Sequence, residues 1–229
     1  MNTMTDAAHS PLPIVVLISG RGSNLDAILD AIDTGELPVE VRAVISNRPD
    51  ARGLQRPALQ GIRTIVIDHA CQRDRAAFDR TLQATIDTLE PELLVLAGFM
   101  RILTPGFVEH YQGRMLNVHP SLLPEFPGLH THRRAIEAGC KEHGASIHFV
   151  TEETDGGPVV LQARVPVYAD DTPDSLAARV LEQEHRIFPL AIKWFAERRL
   201  ALDARGRVLF DGQPLRHPKV LTADTAEPC

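Results

Sequence analysis

Short apolar runs alternate with longer amphipathic segments along the first half of the chain. IVVLI (14–18), VEVRAVIS (39–46), TIVI (64–67), LLVLA (93–97) and MLNV (115–118) are rich in β-branched residues and are bounded by Gly, Pro, Asn or Asp. Runs of this length and composition predict buried strands. Between the first two, SNLDAILDAIDTG sets Leu25, Ile28, Leu29 and Ile32 on one helical stripe, with Ser23 placed to cap the start and Gly35 to end it. Residues 51–60 and 74–89 supply further helical connections. Strand, helix and strand in succession imply right-handed parallel crossovers, and so a doubly wound α/β sheet.

After Gly144 the pattern gives two more strands, ASIHFV (145–150) and PVVLQARVPV (158–167), then a long helix from Pro173 to Arg198 opened by TPDS. RVLFDGQPL reads as an antiparallel hairpin with an Asp-Gly turn. Residues 217–229 are polar and read as a frayed end. The expected organisation is a flexible leader over 1–12, a single α/β domain over 13–202 and a hairpin with tail over 203–229. Its sheet is mostly parallel, with an antiparallel C-terminal part.

Composition narrows the class. With 229 residues, 44% of them hydrophobic, the chain can bury a substantial core. A net charge of −6 gives no general affinity for polyanions, and no basic patch stands out. Cys71, Cys140 and Cys229 are odd in number, widely separated and in no CxxC pair, which argues against a disulfide framework or a structural zinc site and suits a reducing cytoplasm. The start MNTMTDAAHSPLP has no apolar h-region and the longest apolar runs are strand-sized, so neither secretion nor membrane insertion is expected.

Four segments carry candidate chemistry. SGRGSN (19–24) lies between the first strand and first helix, where backbone amides and a helix N-terminus meet an anion. Leu25 stands where a dinucleotide fingerprint needs its third glycine, so the segment suits one phosphate monoester, or simply a tight turn with a helix cap. LAGFMRIL (96–103) follows the fourth strand, and its apolar side chains either line a slot for a flat ligand or cover the sheet edge. In MLNVHPSLLPEFPGLHTH, Asn117 and His119 are i,i+2 at a strand end and point to the same side. An amide beside an imidazole suits gripping a carbonyl oxygen as it gains negative charge and moving a proton near pH 7. A core histidine, or a metal ligand paired with His130 or His132, is the competing reading, although no HExxH spacing supports the metal and the residues after His130 equally begin a helix. Finally, TEETDGGPVV (151–160) brings Asp155 to a glycine turn. It is either an acidic solvated loop or the carboxylate that favours the charged imidazole and fixes its tautomer.

Together ISGRGSN, LAGFMRIL, NVHPSLLPEFPGLHTHRRA and TDGGPV resemble the folate-dependent phosphoribosylglycinamide formyltransferases of purine synthesis, from about Ile14 to Leu202. The resemblance implies a Rossmann-like sheet and formyl transfer from 10-formyltetrahydrofolate to the amino group of glycinamide ribonucleotide, with no metal. It implies catalytic Asn117, His119 and Asp155. The ribonucleotide would contact Gly22, Ser23, Asn24 and Glu184. The folate would contact Arg75, Met100, Arg101, Ile102, Leu103, Asn117 and the loop Thr151, Glu152, Glu153, Thr154 and Asp155. At Leu181 it leaves only packing or backbone contact with the ribonucleotide. Partners would be these small molecules, without nucleic acid or membrane, in a monomer or homodimer. The rivals are a 10-formyltetrahydrofolate hydrolase using the same triad, an initiator-tRNA formyltransferase, which calls for a further C-terminal domain and a basic surface, and a non-catalytic folate- or nucleotide-binding module.

Overall fold

A computed structural model describes residues 10–221. The apolar runs become β1 (Leu12–Ile18), β2 (Val39–Ser46), β3 (Thr64–Val66), β4 (Leu93–Leu96) and β5 (Met115–His119). They are continuous because both sheet faces are covered. Ile14, Val16 and Ile18 pack with Leu25, Ile28 and Leu29 of α1 (Ser23–Asp33) on one face. Val15 and Leu17 pack on the other, with Phe78 and Leu82 of α3 (Arg75–Asp87) and Phe107 of α4 (Pro105–His110). The connection over residues 51–60 is a single 3-10 turn running into α2 (Gln55–Leu59).

Among the described residues the main sheet has eight strands in the order β11, β7, β6, β5, β4, β1, β2, β3. The chain moves outward from β1 through β2 to β3, then crosses back to β4 on the other side of β1, all in parallel. That reversal opens a crevice at the carboxyl ends of β1 and β4, where a doubly wound sheet takes its ligand. Beyond β5 and a short helix, α5 (Thr131–Glu137), the sheet continues antiparallel through β6 (Glu142–Phe149) and β7 (Val159–Pro166).

Over these strands lies α6 (Pro173–Ala196), opened by a reciprocal capping box between Thr172 and Ser175 with Pro173 in its first turn. It stops before Arg198. Arg198 takes a left-handed φ of 61°, and the amides of Arg198 and Arg199 donate to the carbonyls of Phe195 and Trp194 at 3.0 and 2.9 Å, which closes the last turn.

Two expectations are corrected. The DG hairpin forms as β9 (Val208–Phe210) and β10 (Gln213–Pro214) around Asp211 and Gly212, both at positive φ, but β8 (Leu200–Leu202) joins it to make three strands. The polar stretch after residue 217 is not frayed throughout: β11 (Lys219–Leu221) pairs parallel with β7 and buries Leu221. Backbone pairing at a free sheet edge, together with one apolar anchor, outweighs local polarity there. The rest of that tail, and the leader up to residue 9, lie outside the described residues.

Candidate active site

The turn into α1 is made by glycine rather than by a serine cap. Gly22 sits at φ 81° as the N-cap, and no side chain caps the helix; Ser23 is its first residue. The cause is a close backbone crossing. A Cβ on Gly22 would stand 2.6 Å from the Cα of Gly53, and one on Gly53 would stand 2.9 Å from the Cα of Gly22. With no side-chain acceptor engaged, the first amides of the helix are left to meet an anion. A cavity of about 350 Å³ faces them, lined by the loop together with Asn47, Arg48, His69, Gly98 and Arg101. The Ser19 hydroxyl ties its walls together, donating to Asn47 Oδ1 at 2.5 Å and accepting from the Met100 amide at 2.8 Å.

Asn24, which lines the cavity, meets Glu184, 160 positions away. Asn24 Nδ2 donates to Glu184 Oε2 at 2.7 Å. Burial pushes the Glu184 carboxyl above its ordinary value, and the Asn24 hydrogen bond offsets part of this.

The segment after β4 divides between the two readings that its sequence allowed. Phe99 and Leu103 are buried in the core on the α3 side, whereas Met100 and Ile102 are 70% and 55% exposed. The Arg101 guanidinium lies over the Phe78 ring at 4.5 Å. The segment therefore covers the sheet with alternate side chains and offers an apolar strip with the others.

Asn117 and His119 project from β5 on the same side, as their spacing predicts, and two further groups meet them. Asn117 stands in register with His148 of β6, and its Nδ2 donates to His148 Nε2 at 3.0 Å. His148 Nδ1 in turn donates to the Phe149 carbonyl at 2.9 Å, so Nε2 carries the lone pair. Burial pushes the His148 imidazole below its ordinary value, in agreement with this neutral tautomer. His119 is also buried. Its Nε2 donates to the Phe126 carbonyl at 3.0 Å, and Nδ1 faces Asp155 Oδ2 at 3.4 Å. Asp155 reaches in from a loop with two glycines after it, the second of which is required by a backbone approach. A Cβ on Gly156 would meet the Glu153 side chain at 2.4 Å, and one on Gly157 the Phe149 carbonyl at 1.8 Å. Asp155 itself takes a φ of 54°, accepts from the Gly128 amide at 2.8 Å and lies 3.9 Å from His148 Nε2. The sequence thus gave three members of a four-membered cluster. His148 was missed, and its signal is positional: it becomes visible once β6 is known to run antiparallel against β5.

The remaining candidates lie further out. Glu152, Glu153 and Thr154 are exposed on the Asp155 loop, and Thr151 is half-buried. Arg75 opens α3, exposed, and among the described residues no hydrogen bond or ion pair links it to the cluster. His130 caps α5 at a left-handed φ, while His132 packs edge-on against His143 at 5.3 Å. Burial pushes both of these imidazoles down, that of His143 to about 4. Among the described residues no group of three or more His, Cys, Asp or Glu side chains is arranged to hold a metal ion.

Residues 12–192 match the family described as formyl transferase. The chain belongs to the formyl transferase family. Within it, the chain is 57% identical over 202 residues to the phosphoribosylglycinamide formyltransferase of Escherichia coli, covering 88% of this chain and 95% of that one. Identity to the enzyme of the same name from Haemophilus influenzae is 48% over 189 residues, covering 82% and 89%. The solved phosphoribosylglycinamide formyltransferase from Coxiella burnetii superposes with a TM-score of 0.86 at 53% identity, covering 90% of this chain and 96% of that one. The sheet is shared with this solved relative, and all four cluster residues fall within the matched residues 12–192.

Proposed function

We propose that this protein transfers the formyl group of 10-formyltetrahydrofolate to the amino group of phosphoribosylglycinamide, a step of purine synthesis. One observation carries the reading: the Asn117, His119, His148 and Asp155 cluster belongs to the same sheet edge as an anion cavity and an exposed apolar strip. Two substrates can therefore be held with their reacting atoms beside one acid–base centre.

The ribonucleotide phosphate takes the amides of Gly22, Ser23 and Asn24, and its ribose hydroxyls donate to Glu184. The folate lies along Met100, Arg101 and Ile102. Leu103, with its side chain buried, contributes backbone only. The loop Thr151 to Asp155 covers the other side, and Arg75 meets the outer part of the folate. The amine attacks the formyl carbon, and charge develops on the formyl oxygen. Asn117 has given one amide hydrogen to His148 and keeps the other for that oxygen. His119 is the second donor. Its Nε2 proton rests on the Phe126 carbonyl before substrate arrives and must turn to the oxyanion, while Asp155 balances the imidazolium. Asp155 also orders a water that carries the proton from the attacking amine to N10. Collapse releases tetrahydrofolate and the formylated ribonucleotide.

Cys71 and Cys140 are free thiols, which supports action in a reducing compartment, and we assign the cytoplasm. Among the described residues no helix is long and apolar enough to cross a membrane. The partners in this reading are the two small molecules, acting on a monomer or homodimer. Incubation with 10-formyltetrahydrofolate, with and without the ribonucleotide, tests the assignment. Tetrahydrofolate should form only when the ribonucleotide is present. Formate release without it, or no turnover at all, would sink the reading.

A further inference from the structure

The three arginines around the anion cavity are not equivalent. Arg48 is committed: its Nε and Nη2 fork onto the two oxygens of Asp50 at 3.0 and 2.8 Å. Arg101 is held over the Phe78 ring, with its Nε buried and without a hydrogen-bond partner, so it is not turned toward the cavity's open side as an exposed group is. Arg21, at the centre of the glycine loop, is exposed, and among the described residues it has no hydrogen bond or ion pair. Among the described residues no Asp or Glu lines this cavity.

Arg21 is a free side chain on a fixed backbone. The preceding carbonyl, Gly20 O, accepts from the Gly53 amide at 3.0 Å, and the following one, Gly22 O, accepts from the Asp26 amide at 2.8 Å. The crossing of Gly22 and Gly53 holds the same turn from outside. This holds the Arg21 Cα at the cavity wall, and the exposed side chain is free to turn to an incoming anion. Asn24, on the same cavity wall, also has an atom without a partner. Asn24 is 8% exposed and spends its amide hydrogen on Glu184, while its Oδ1 stays buried without a donor. A ligand that satisfies both groups carries an anion for Arg21 and a hydroxyl or amine hydrogen for Asn24. A phosphorylated sugar has both.

We propose that Arg21 is a specificity-determining residue that engages the phosphate of the sugar-phosphate substrate and so favours it over the unphosphorylated riboside. The inference rests on the phosphate assignment above and adds to it a guanidinium contact beyond the backbone amides. A charge-assisted hydrogen bond to a phosphate oxygen should be worth about tenfold in affinity.

The test compares the wild type with Arg21→Ala and Arg21→Lys. At low salt, Arg21→Ala should raise the KM for the ribonucleotide about tenfold with kcat and the folate KM within about twofold. The difference should shrink at high salt, and Arg21→Lys should recover part of it. A ribonucleotide KM within about twofold of wild type at low salt would overturn the inference. Calorimetric titration with ribose 5-phosphate separates its failure from failure of the proposed function. Equal affinity of wild type and Arg21→Ala refutes the role of Arg21 even if formyl transfer occurs. Weaker binding by Arg21→Ala in a protein that transfers no formyl group keeps the role of Arg21 and discards the reaction.

Discussion

The two halves of the crevice are built on different physical terms. On the β1 side the site is backbone: a left-handed Gly22, a glycine crossing at Gly53 and unclaimed helix amides, all in place before any ligand arrives. On the β5 side it is side chain. Four polar groups from two strands and a loop meet in a buried cluster, and each depends on the next for its orientation. The first half can bind with little reorganisation. The second can move a proton, and for the same reason it responds to substitution as a unit.

The sharpest break between the halves is expected at the carboxylate. Asp155→Asn keeps an oxygen for the Gly128 amide but removes the charge facing His119. Turnover should fall on the order of 100-fold or more, and so should that of His119→Ala, with ribonucleotide affinity little changed. Steady-state kinetics together with ribonucleotide titration checks this; near wild-type kcat in either variant refutes the cluster's role.

Acid provides the next largest contrast, because the buried imidazoles lie on the β5 side. His143 is held near 4 in the fold by burial, with His132 and His119 adding repulsion, against about 6.5 when unfolded. A group depressed on folding contributes stability that is complete above the unfolded value and is lost as pH falls toward the folded one. Between about pH 6.5 and 4 this amounts to about 3 kcal/mol. Thermal unfolding followed by circular dichroism should show the loss, and His143→Phe should flatten it. An unchanged pH slope in that variant would assign the acid sensitivity elsewhere.

Legibility in the sequence follows the same division. SGRGSN could be read as an anion turn because glycine spacing and a following helix are local facts, and only the cap was misplaced, at Ser23 instead of Gly22. Its partner Gly53 left no sign, since a crossing of two backbones 31 positions apart has no local pattern. The pairing of Asn117 with His119 was legible from strand periodicity, and Asp155 from its glycines. Neither His148 nor the Phe126 carbonyl could be, because each depends on an antiparallel register or a loop path set by tertiary packing. The apolar strip after β4 was half legible: composition fixed its hydrophobic character, but only the backbone path shows that Met100 and Ile102 face out while Phe99 and Leu103 face in.

Gly53→Ala attacks the backbone half where it is tightest. The added methyl would meet Ile18 Cδ1 at 2.8 Å and the Gly22 Cα at 2.9 Å, and only the isoleucine end can give way. Overpacking of this kind costs roughly 1–3 kcal/mol. It should also displace the loop, so the ribonucleotide KM should rise several-fold while kcat falls less. A variant of full stability and unchanged KM would mean that the crossing is not what holds the loop.

The smallest effect is expected at the support beneath the side-chain half. Ser146 is fully buried; its hydroxyl donates to the Ser121 carbonyl at 2.6 Å and accepts from the Leu123 amide at 3.0 Å and from Gln162 Nε2 at 2.9 Å. These bonds anchor the loop that brings the Phe126 carbonyl to His119. Ser146→Ala strands the Leu123 amide and the Ser121 carbonyl, while Gln162 keeps the Leu123 carbonyl as an acceptor at 2.9 Å. The expected destabilisation is therefore about 1–3 kcal/mol, set by one orphaned donor and one orphaned acceptor. If the loop shifts with it, kcat should fall severalfold and the ribonucleotide KM should hold. A rise in the ribonucleotide KM together with the fall in kcat would mean that the two halves of the crevice are mechanically joined rather than independent.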